Sequence, residues 1–263
     1  MKNFQHVKSP LKEKLGNKEL TFGSWLTIPH QSIIEILSSA GFEWLTVDIE
    51  HSAIDIHTVQ NLIGHIQANG MEALVRVSKN DEVIIKRVMD AGANGIIVPM
   101  VKNAEEAKQA VSWVKYPPTG TRGVGLSRAQ HYGTAFNQYN EWVNQESVVI
   151  AQIEHIEGVK NLAAILDVDG IDGIIVGPYD LSASMGKPGM FYDDDVVEVL
   201  KEIDKVTLAT GKSLGFHVIE SDHEKVIDKI AMKYNFLAFS LDFFFLGDKA
   251  REQMKSLKSK LGA

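Results

Sequence analysis

The stretch EALVRVSKNDEVIIKRVMDAGANGIIVPM (72–100) decides the fold. It opens on a short run of Leu and Val, breaks at the polar residues 78–80, and continues into DEVIIKRVMDAGA (81–93). There the apolar residues recur at the three- and four-residue spacing of a helix face. Gly92 stands where such a helix would end, and GIIVPM (95–100) is a second apolar run. Both runs are nearly continuous instead of alternating, as expected for strands covered on both faces. Strand, helix and strand in this order predict a βαβ unit with parallel strands.

The same alternation extends in both directions. Further strand runs are TFGSWLT from Thr21, WLTVDIE from Trp44, VVIAQIE from Val148, GIIVG from Gly173, LGFHVI from Leu214 and FLAFSLDF from Phe236. Helical patterns lie between them, as in IIEILSSAG (33–41) and DIHTVQNLIGHIQANG (55–70), with Gly41, Gly70 and Gly211 at plausible ends, and a last helix is predicted over about 247–260. Eight strands, each followed by a helix, predict an α/β fold, a single (β/α)8 TIM barrel. A doubly wound open sheet shares the alternation, but the eightfold count and the lack of GxGxxG after the first strand favour the barrel. No linker or composition shift divides residues 1–263, so one domain is predicted, with residues 1–20 as an N-terminal helical extension. Lys8, Lys12 and Lys14 in that extension read as a solvated amphipathic face.

Composition narrows the function. The chain has 27 Lys and Arg against 34 Asp and Glu, a net charge of −7, and no Cys. Disulfides, thiolate metal sites and a Cys nucleophile are excluded. The acidic balance argues against a nucleic-acid partner, which needs clustered cations. No apolar run reaches the roughly 18 residues of a membrane span. The first residues, MKNFQHVKSPLKEKLG, lack the apolar core of a signal peptide, so a cytoplasmic protein is expected.

In such a barrel the chemistry sits where the strands end. Strand two ends in Asp48, Glu50 and His51; strand three carries Arg76; strand five carries Gln152 and Glu154; strand six leads through GPYD to Asp180. An acid ending an apolar strand is costly unless paired or bound to metal. Glu154 and Asp180, on neighbouring strands, suit a hard divalent ion such as Mg²⁺ or Mn²⁺, with Co²⁺ a further candidate; the competing reading is a pair of helix-capping acids. Arg76 offers a fixed charge for an enolate, or a salt bridge to a rim acid. His51 offers a general base oriented by Asp48 or another acid, or is a helix-flanking residue in a polar loop. Asp193, Asp194 and Asp195 read as a helix start, His57 and His65 as outward-facing, and Met185 and Met190 as loop residues. No strand core contains Lys, which disfavours imine chemistry. The regions HVIESDHEK and SLDFFFLG share a single glycine, which disfavours a phosphorylated substrate. No Walker sequence and no GxSxG elbow is present. Metal-assisted enolate chemistry is the class that remains.

Seven stretches carry a resemblance: FGSWLT (22–27), TVDIEHSAID (46–55), LVRVSKND (74–81), DAGANGIIVPMV (90–101), PPTGTRGVG (117–125), QIEHIEGV (152–159) and GIDGIIVGPYDLSASMG (170–186). In this order they resemble the class II 4-hydroxy-2-oxoheptanedioate and 2-dehydro-3-deoxyglucarate aldolases, the HpcH/HpaI aldolase family of the pyruvate/phosphoenolpyruvate barrel superfamily. The resemblance implies retro-aldol cleavage of a 4-hydroxy-2-oxo diacid to pyruvate and an aldehyde. It implies Glu154 and Asp180 as metal ligands, Gln152 beside them, Arg76 as enolate stabiliser, and His51 as base with Asp48 in the same loop. Trp25, Tyr179 and Asp180 would face the substrate. Tyr179 stands where Ala or Ser is more usual, and His155 where Thr is common, which bears on substrate size and orientation. A related lyase or decarboxylase of a 2-oxo diacid such as oxaloacetate, or a non-catalytic dicarboxylate-binding barrel, are the alternatives.

Asp90 ends the helix after strand three, and RGVG (122–125) follows the helix after strand four, so both fall at the lower rim, away from their own site. If they contribute as the family suggests, they do so in a neighbouring subunit, Asp90 supporting His51 and Val124 lining the pocket. A homo-oligomer is therefore expected, a hexamer or trimer of dimers, with the last helix (247–263) exchanged between subunits. Phe243, Phe244 and Phe245 would be its hinge, or simply core.

Overall fold

The computed structural model describes residues 8–262. Eight strands close into a parallel barrel in chain order: β1 (Thr21–Leu26), β2 (Trp44–Asp48), β3 (Glu72–Arg76), β4 (Gly95–Val98), β5 (Val148–Ile153), β6 (Gly173–Val176), β7 (Ser213–Val218) and β8 (Phe236–Leu241). All eight predicted runs form strands, and β8 pairs with β1 to complete the ring. The open-sheet alternative is excluded by that closure.

Two apolar layers hold the barrel. Outside it, strand residues such as Leu45, Val75, Ile96 and Val149 pack under the surrounding helices. Inside it, Trp25, Trp44, Leu74, Ile97, Ile150, Ile175 and Phe236 fill the lumen. Trp44 stacks on Phe236 with ring centroids 4.4 Å apart. A Cβ at Gly23 would fall 2.0 Å from the Trp44 ring, so only glycine lets this indole lie across the lumen.

The helices near residues 33–41, 55–70 and 81–93 are found at Gln31–Ser39, Ile56–Ala68 and Glu82–Asp90. Asp81, Asp55 and Asp193 cap helix starts by accepting backbone N–H bonds. The two long intervals hold more structure than one helix each. Residues 99–147 add the helix Phe136–Gln145, and residues 177–212 hold Pro178–Ser184 before Asp194–Thr210.

Two predicted details are corrected. The solvated face read for Lys8, Lys12 and Lys14 belongs in fact to a docked helix, Pro10–Asn17, whose Leu11 and Leu15 enter the lumen cluster. Lys12 is bound to Asp172 at 2.6 Å and Lys14 pairs with Glu43, whereas Lys8 is exposed. This helix plugs the N-terminal end of the barrel, opposite the rim that carries Asp48 and Arg76. The last helix starts at Asp242 instead of near 247, because β8 runs into it without a loop. The Asp242 carboxylate accepts from the backbone N–H groups of Thr27 at 2.8 Å and Ile28 at 2.6 Å, tying this junction to β1. Beyond that junction the helix is mostly exposed, including Met254, Leu257 and Leu261. No described helix is long and apolar enough to cross a membrane.

Candidate active site

Adjacent strands bring the first pair together. Asp48 and Arg76 are partners across the β2–β3 ladder, each the last residue of its strand. Arg76 grips Asp48 with both arms of its fork, Nε to Oδ1 at 3.0 Å and Nη2 to Oδ2 at 2.7 Å. Asp48 also accepts from the N–H groups of Glu50 at 3.0 Å and His51 at 3.3 Å. Burial pushes the Asp48 carboxyl up, but Arg76 and these N–H groups outweigh it and hold the pKa below the usual carboxylate range. The third guanidinium nitrogen of Arg76, Nη1, lies 3.3 Å from Glu50 Oε2. Arg76 is thus engaged by two acids, so the salt-bridge reading of this residue holds whatever its chemistry.

Asp48 reaches His51 through backbone, not through the imidazole. The His51 ring is largely exposed at the mouth of the cavity, with Nε2 3.9 Å from Glu50 Oε2. Glu50 is therefore the acid nearest to that ring.

The second group comes from β5 and the turn after β6. Glu154 is 2% exposed; its Oε1 accepts from the Met100 N–H at 2.7 Å and its Oε2 from the Gln152 amide. Burial raises its pKa to about 7, with the N–H donors opposing and the carboxylates of Glu50 and Asp180 adding to the rise. Glu50 is likewise raised to about 7, first by burial, against the pull of Arg76. Gln152 Oε1 is buried without a hydrogen-bond partner. A Cβ at Gly177 would stand 2.7 Å from Glu154 Oε2 and 3.0 Å from the Gln152 amide nitrogen, so this glycine keeps the space beside Glu154 open. Asp180 follows on the short helix Pro178–Ser184, exposed toward solvent.

These features fit a divalent cation. Asp180 lines the cavity beside Gln152, whose carbonyl oxygen is unsatisfied, and the charges of Glu50 and Asp180 bear on the buried Glu154 behind it. Among the described residues no three His, Asp or Glu side chains close around one point. Glu154 and Asp180 would supply two oxygens, leaving the other positions of a hard ion to water or a small molecule.

One cavity of about 340 Å³ at this rim is lined by Trp25, Asp48, His51, Arg76, Gln152, Tyr179 and Asp180. Trp25 forms its floor, with the Arg76 guanidinium carbon 5.6 Å from the ring centroid. Tyr179 stands at the mouth, edge-on to Phe191 at 4.7 Å. Glu154 lies just behind this lining, against Gln152.

Asp90 and Val124 do not line this cavity. Asp90 lies 3.6 Å from Arg122, and Val124 is exposed on the adjoining segment. Burial raises the Asp90 pKa, opposed by Arg122 and Lys86.

Sequence reading overlooked His217, Thr27, Phe243 and Phe244, all of which line the cavity, and it noted Glu50 only as a rim residue. The signal for His217 was present, since it is the one titratable residue inside the apolar run LGFHVI. Phe243 and Phe244 wall the cavity, while Phe245 packs on Phe42 and Phe239, so the aromatic run is split between site and core.

A (β/α)8 barrel with arginine, acids and histidine gathered at the C-terminal rim is built as an enzyme, and comparison with known proteins says of which kind. The sequence profile of the HpcH/HpaI aldolase/citrate lyase family matches residues 21–245, and the chain belongs to that family. It is 36% identical over 247 residues to the 2-dehydro-3,6-dideoxy-6-sulfogluconate aldolase of Pseudomonas putida, covering 94% of this chain and 96% of that one. It is 35% identical over 238 residues to the hydroxypyruvate/pyruvate aldolase of Roseobacter denitrificans, covering 89% of this chain and 91% of the relative. Among solved structures, an HpcH/HpaI aldolase/citrate lyase family protein from Burkholderia cenocepacia superposes with a TM-score of 0.89 at 29% identity, covering 94% of this chain and 98% of that one. The protein is a carbon–carbon lyase of the aldolase type, and the non-catalytic reading falls away.

Proposed function

We propose that this protein is a divalent-metal-dependent class II aldolase that cleaves a 4-hydroxy-2-oxo acid to pyruvate and an aldehyde. The observation that carries the reading is the placement of Arg76, locked by Asp48, in one cavity with Gln152 and Asp180, with Glu154 directly behind Gln152. Glu154 and Asp180 would hold Mg²⁺ or Mn²⁺, with Co²⁺ a further candidate. When bound, the ion supplies Lewis-acid polarisation of the 2-oxo group and charge for the neighbouring carboxylate.

The chain's own residues do the rest. Gln152 and Asp180 orient the oxo-acid end above Trp25. His51, backed by Glu50 and the loop that Asp48 fixes, takes the proton of the 4-hydroxyl. The C3–C4 bond then breaks, the hydroxyl-bearing carbon leaves as the aldehyde, and the electron pair forms the enolate of pyruvate. Arg76 stabilises the charge on the enolate oxygen, and its fixed orientation costs no reorganisation as that charge develops. Protonation at C3 releases pyruvate.

Asp90 and Val124 enter this reading through a neighbouring subunit of a hexamer or trimer of dimers, Asp90 supporting His51 and Val124 closing the pocket. The exposed last helix, with Met254, Leu257 and Leu261 uncovered, supports such an assembly. Mixed oligomers of Asp90→Ala and His51→Ala subunits should recover activity, and no recovery beyond either variant alone rules the shared site out. A diacid substrate was expected, but it would need a further cation for its distal carboxylate. Decarboxylation of a 2-oxo diacid would use the same enolate-stabilising residues.

The test is pyruvate release coupled to lactate dehydrogenase, with and without EDTA. Loss on chelation, restoration by Mg²⁺ or Mn²⁺, and an inert Glu154→Ala variant are expected. Full activity after thorough chelation would overturn the metal assignment, and a fully active Glu154→Ala would overturn the site.

A further inference from the structure

Arg122 opens the RGVG segment (122–125) and is 0% exposed. A guanidinium does not give up its proton, so its burial demands compensation. Nη1 donates to the Val114 carbonyl at 2.9 Å and Nη2 to the Tyr139 hydroxyl at 2.9 Å. The rings of Tyr116 and Tyr139 stand 4.2 and 5.3 Å from its central carbon. These neighbours fix the fork, yet none of them carries a negative charge at neutral pH. Among the described residues the one carboxylate within reach is that of Asp90, 3.6 Å from Nη2.

Asp90 is poorly placed for its own helix. It is the last residue of Glu82–Asp90, where the helix dipole opposes an acid. Its Oδ1 is buried without a hydrogen-bond partner, and 3.6 Å is too long for a bond to Arg122. The bond that ties this turn together runs instead from Ser127 Oγ to the Asp90 carbonyl, at 3.0 Å. Gly125 passes on the Oδ2 side, where a Cβ would stand 3.6 Å from that oxygen, and as glycine it leaves the oxygen uncovered. Arg122 and Lys86 are the cations that oppose the effect of burial on this acid. A buried cation held beside an acid without closing onto it leaves the acid charged and open to a donor from outside the chain.

We propose that Arg122 is a positioning residue of the shared active site, keeping Asp90 charged and directed out of its own subunit toward the imidazole of the neighbouring subunit's His51. It rests on the shared-site reading above, and Arg122 itself touches no reacting atom.

The test measures pyruvate release by assembled protein isolated by size-exclusion chromatography, so that kcat refers to folded oligomer. Arg122→Gln removes the charge and should lower kcat by about 10- to 100-fold, the range for losing a supporting contact behind a functional group. Arg122→Lys keeps the charge without the fork and should recover part of that loss. In an Asp90→Ala background Arg122→Gln should lower kcat no further, because its partner is already gone. Asp90→Asn leaves the buried arginine in place and should lose as much kcat as Asp90→Ala.

Mixed oligomers then show where the residue acts. Arg122→Gln subunits combined with His51→Ala subunits should recover activity, since some sites then pair an intact His51 with Asp90 and Arg122 of a neighbour. A fully active Asp90→Asn, independent losses in the double variant, or Arg122→Lys no better than Arg122→Gln overturns the proposal. So does a silent Arg122→Gln and His51→Ala mixture when the Asp90→Ala and His51→Ala mixture recovers, and the shared site then stands. If that second mixture is silent as well, the shared-site reading falls and this inference with it.

Discussion

Asp48 and Arg76 face each other across the β2–β3 ladder and share two hydrogen bonds, of 3.0 and 2.7 Å, in a setting where Asp48 is 1% exposed. The pair turns a flexible guanidinium into a fixed one. Because both ions are buried, deleting one strands the other. Asp48→Ala should therefore lower unfolding free energy by about 3–5 kcal/mol, read by urea denaturation. Arg76→Lys keeps the charge but loses the fork, and should cost about 100- to 1000-fold in kcat/KM. A lysine variant with near wild-type turnover would show that only charge matters at this position.

Gly177 has an ordinary backbone conformation, φ −99°, so alanine can be accommodated by the chain itself. The added methyl would nevertheless sit 2.7 Å from Glu154 Oε2. Gly177→Ala should fold with little change in Tm, and yet weaken Mn²⁺ binding by about 10- to 100-fold, the range seen when a ligand's supporting contacts are disturbed. Titration calorimetry with Mn²⁺ measures this directly. Wild-type affinity in a folded variant would argue that Glu154 does not face the ion.

Leu15 is 1% exposed in the lumen cluster, on a helix that touches the barrel from below. Leu15→Ala should cost about 2–5 kcal/mol, as for other buried leucines, although the residue is more than 30 positions from any predicted site residue other than Trp25. A loss below about 0.5 kcal/mol, the size of a surface substitution, would mean that the helix is dispensable to the barrel.

The barrel was legible because buried parallel strands need uninterrupted apolar runs, and residues 72–100 show two of them flanking a helix face. Asp48, Arg76, Gln152 and Asp180 were legible for the converse reason, as polar residues following such runs and meeting in one cavity. The rest depends on register and packing, which spacing does not carry. Glu50 gains weight only because the turn after β2 aims it at Arg76. The helix Pro10–Asn17 looks solvated because Lys12 and Lys14 flank Leu11 and Leu15, and its partners Asp172 and Glu43 are distant in sequence. His217 was hidden inside an apolar strand, where its partner is a backbone carbonyl.

That buried histidine also predicts how stability responds to acid. Burial is the main cause of its low pKa, with Arg76 reinforcing it and the Ser240 carbonyl and Asp48 opposing. An unfolded histidine titrates near 6.5, whereas His217 in the folded protein stays neutral down to about 3. Below pH 6.5 the unfolded state takes up a proton that the folded state refuses, so stability present above that pH is lost as pH falls. The slope for one such group is about 1.4 kcal/mol per pH unit, or about 2 kcal/mol between pH 6.5 and 5. Glu50, Glu72 and Glu154, raised to about 7, act in the opposite sense but do so in wild type and variant alike. The comparison of wild type with His217→Leu therefore isolates the histidine. Urea unfolding at pH 7 and pH 5 should show the wild type losing about 2 kcal/mol more than the variant, and equal pH dependence in the two would mean that His217 is protonated in the folded protein.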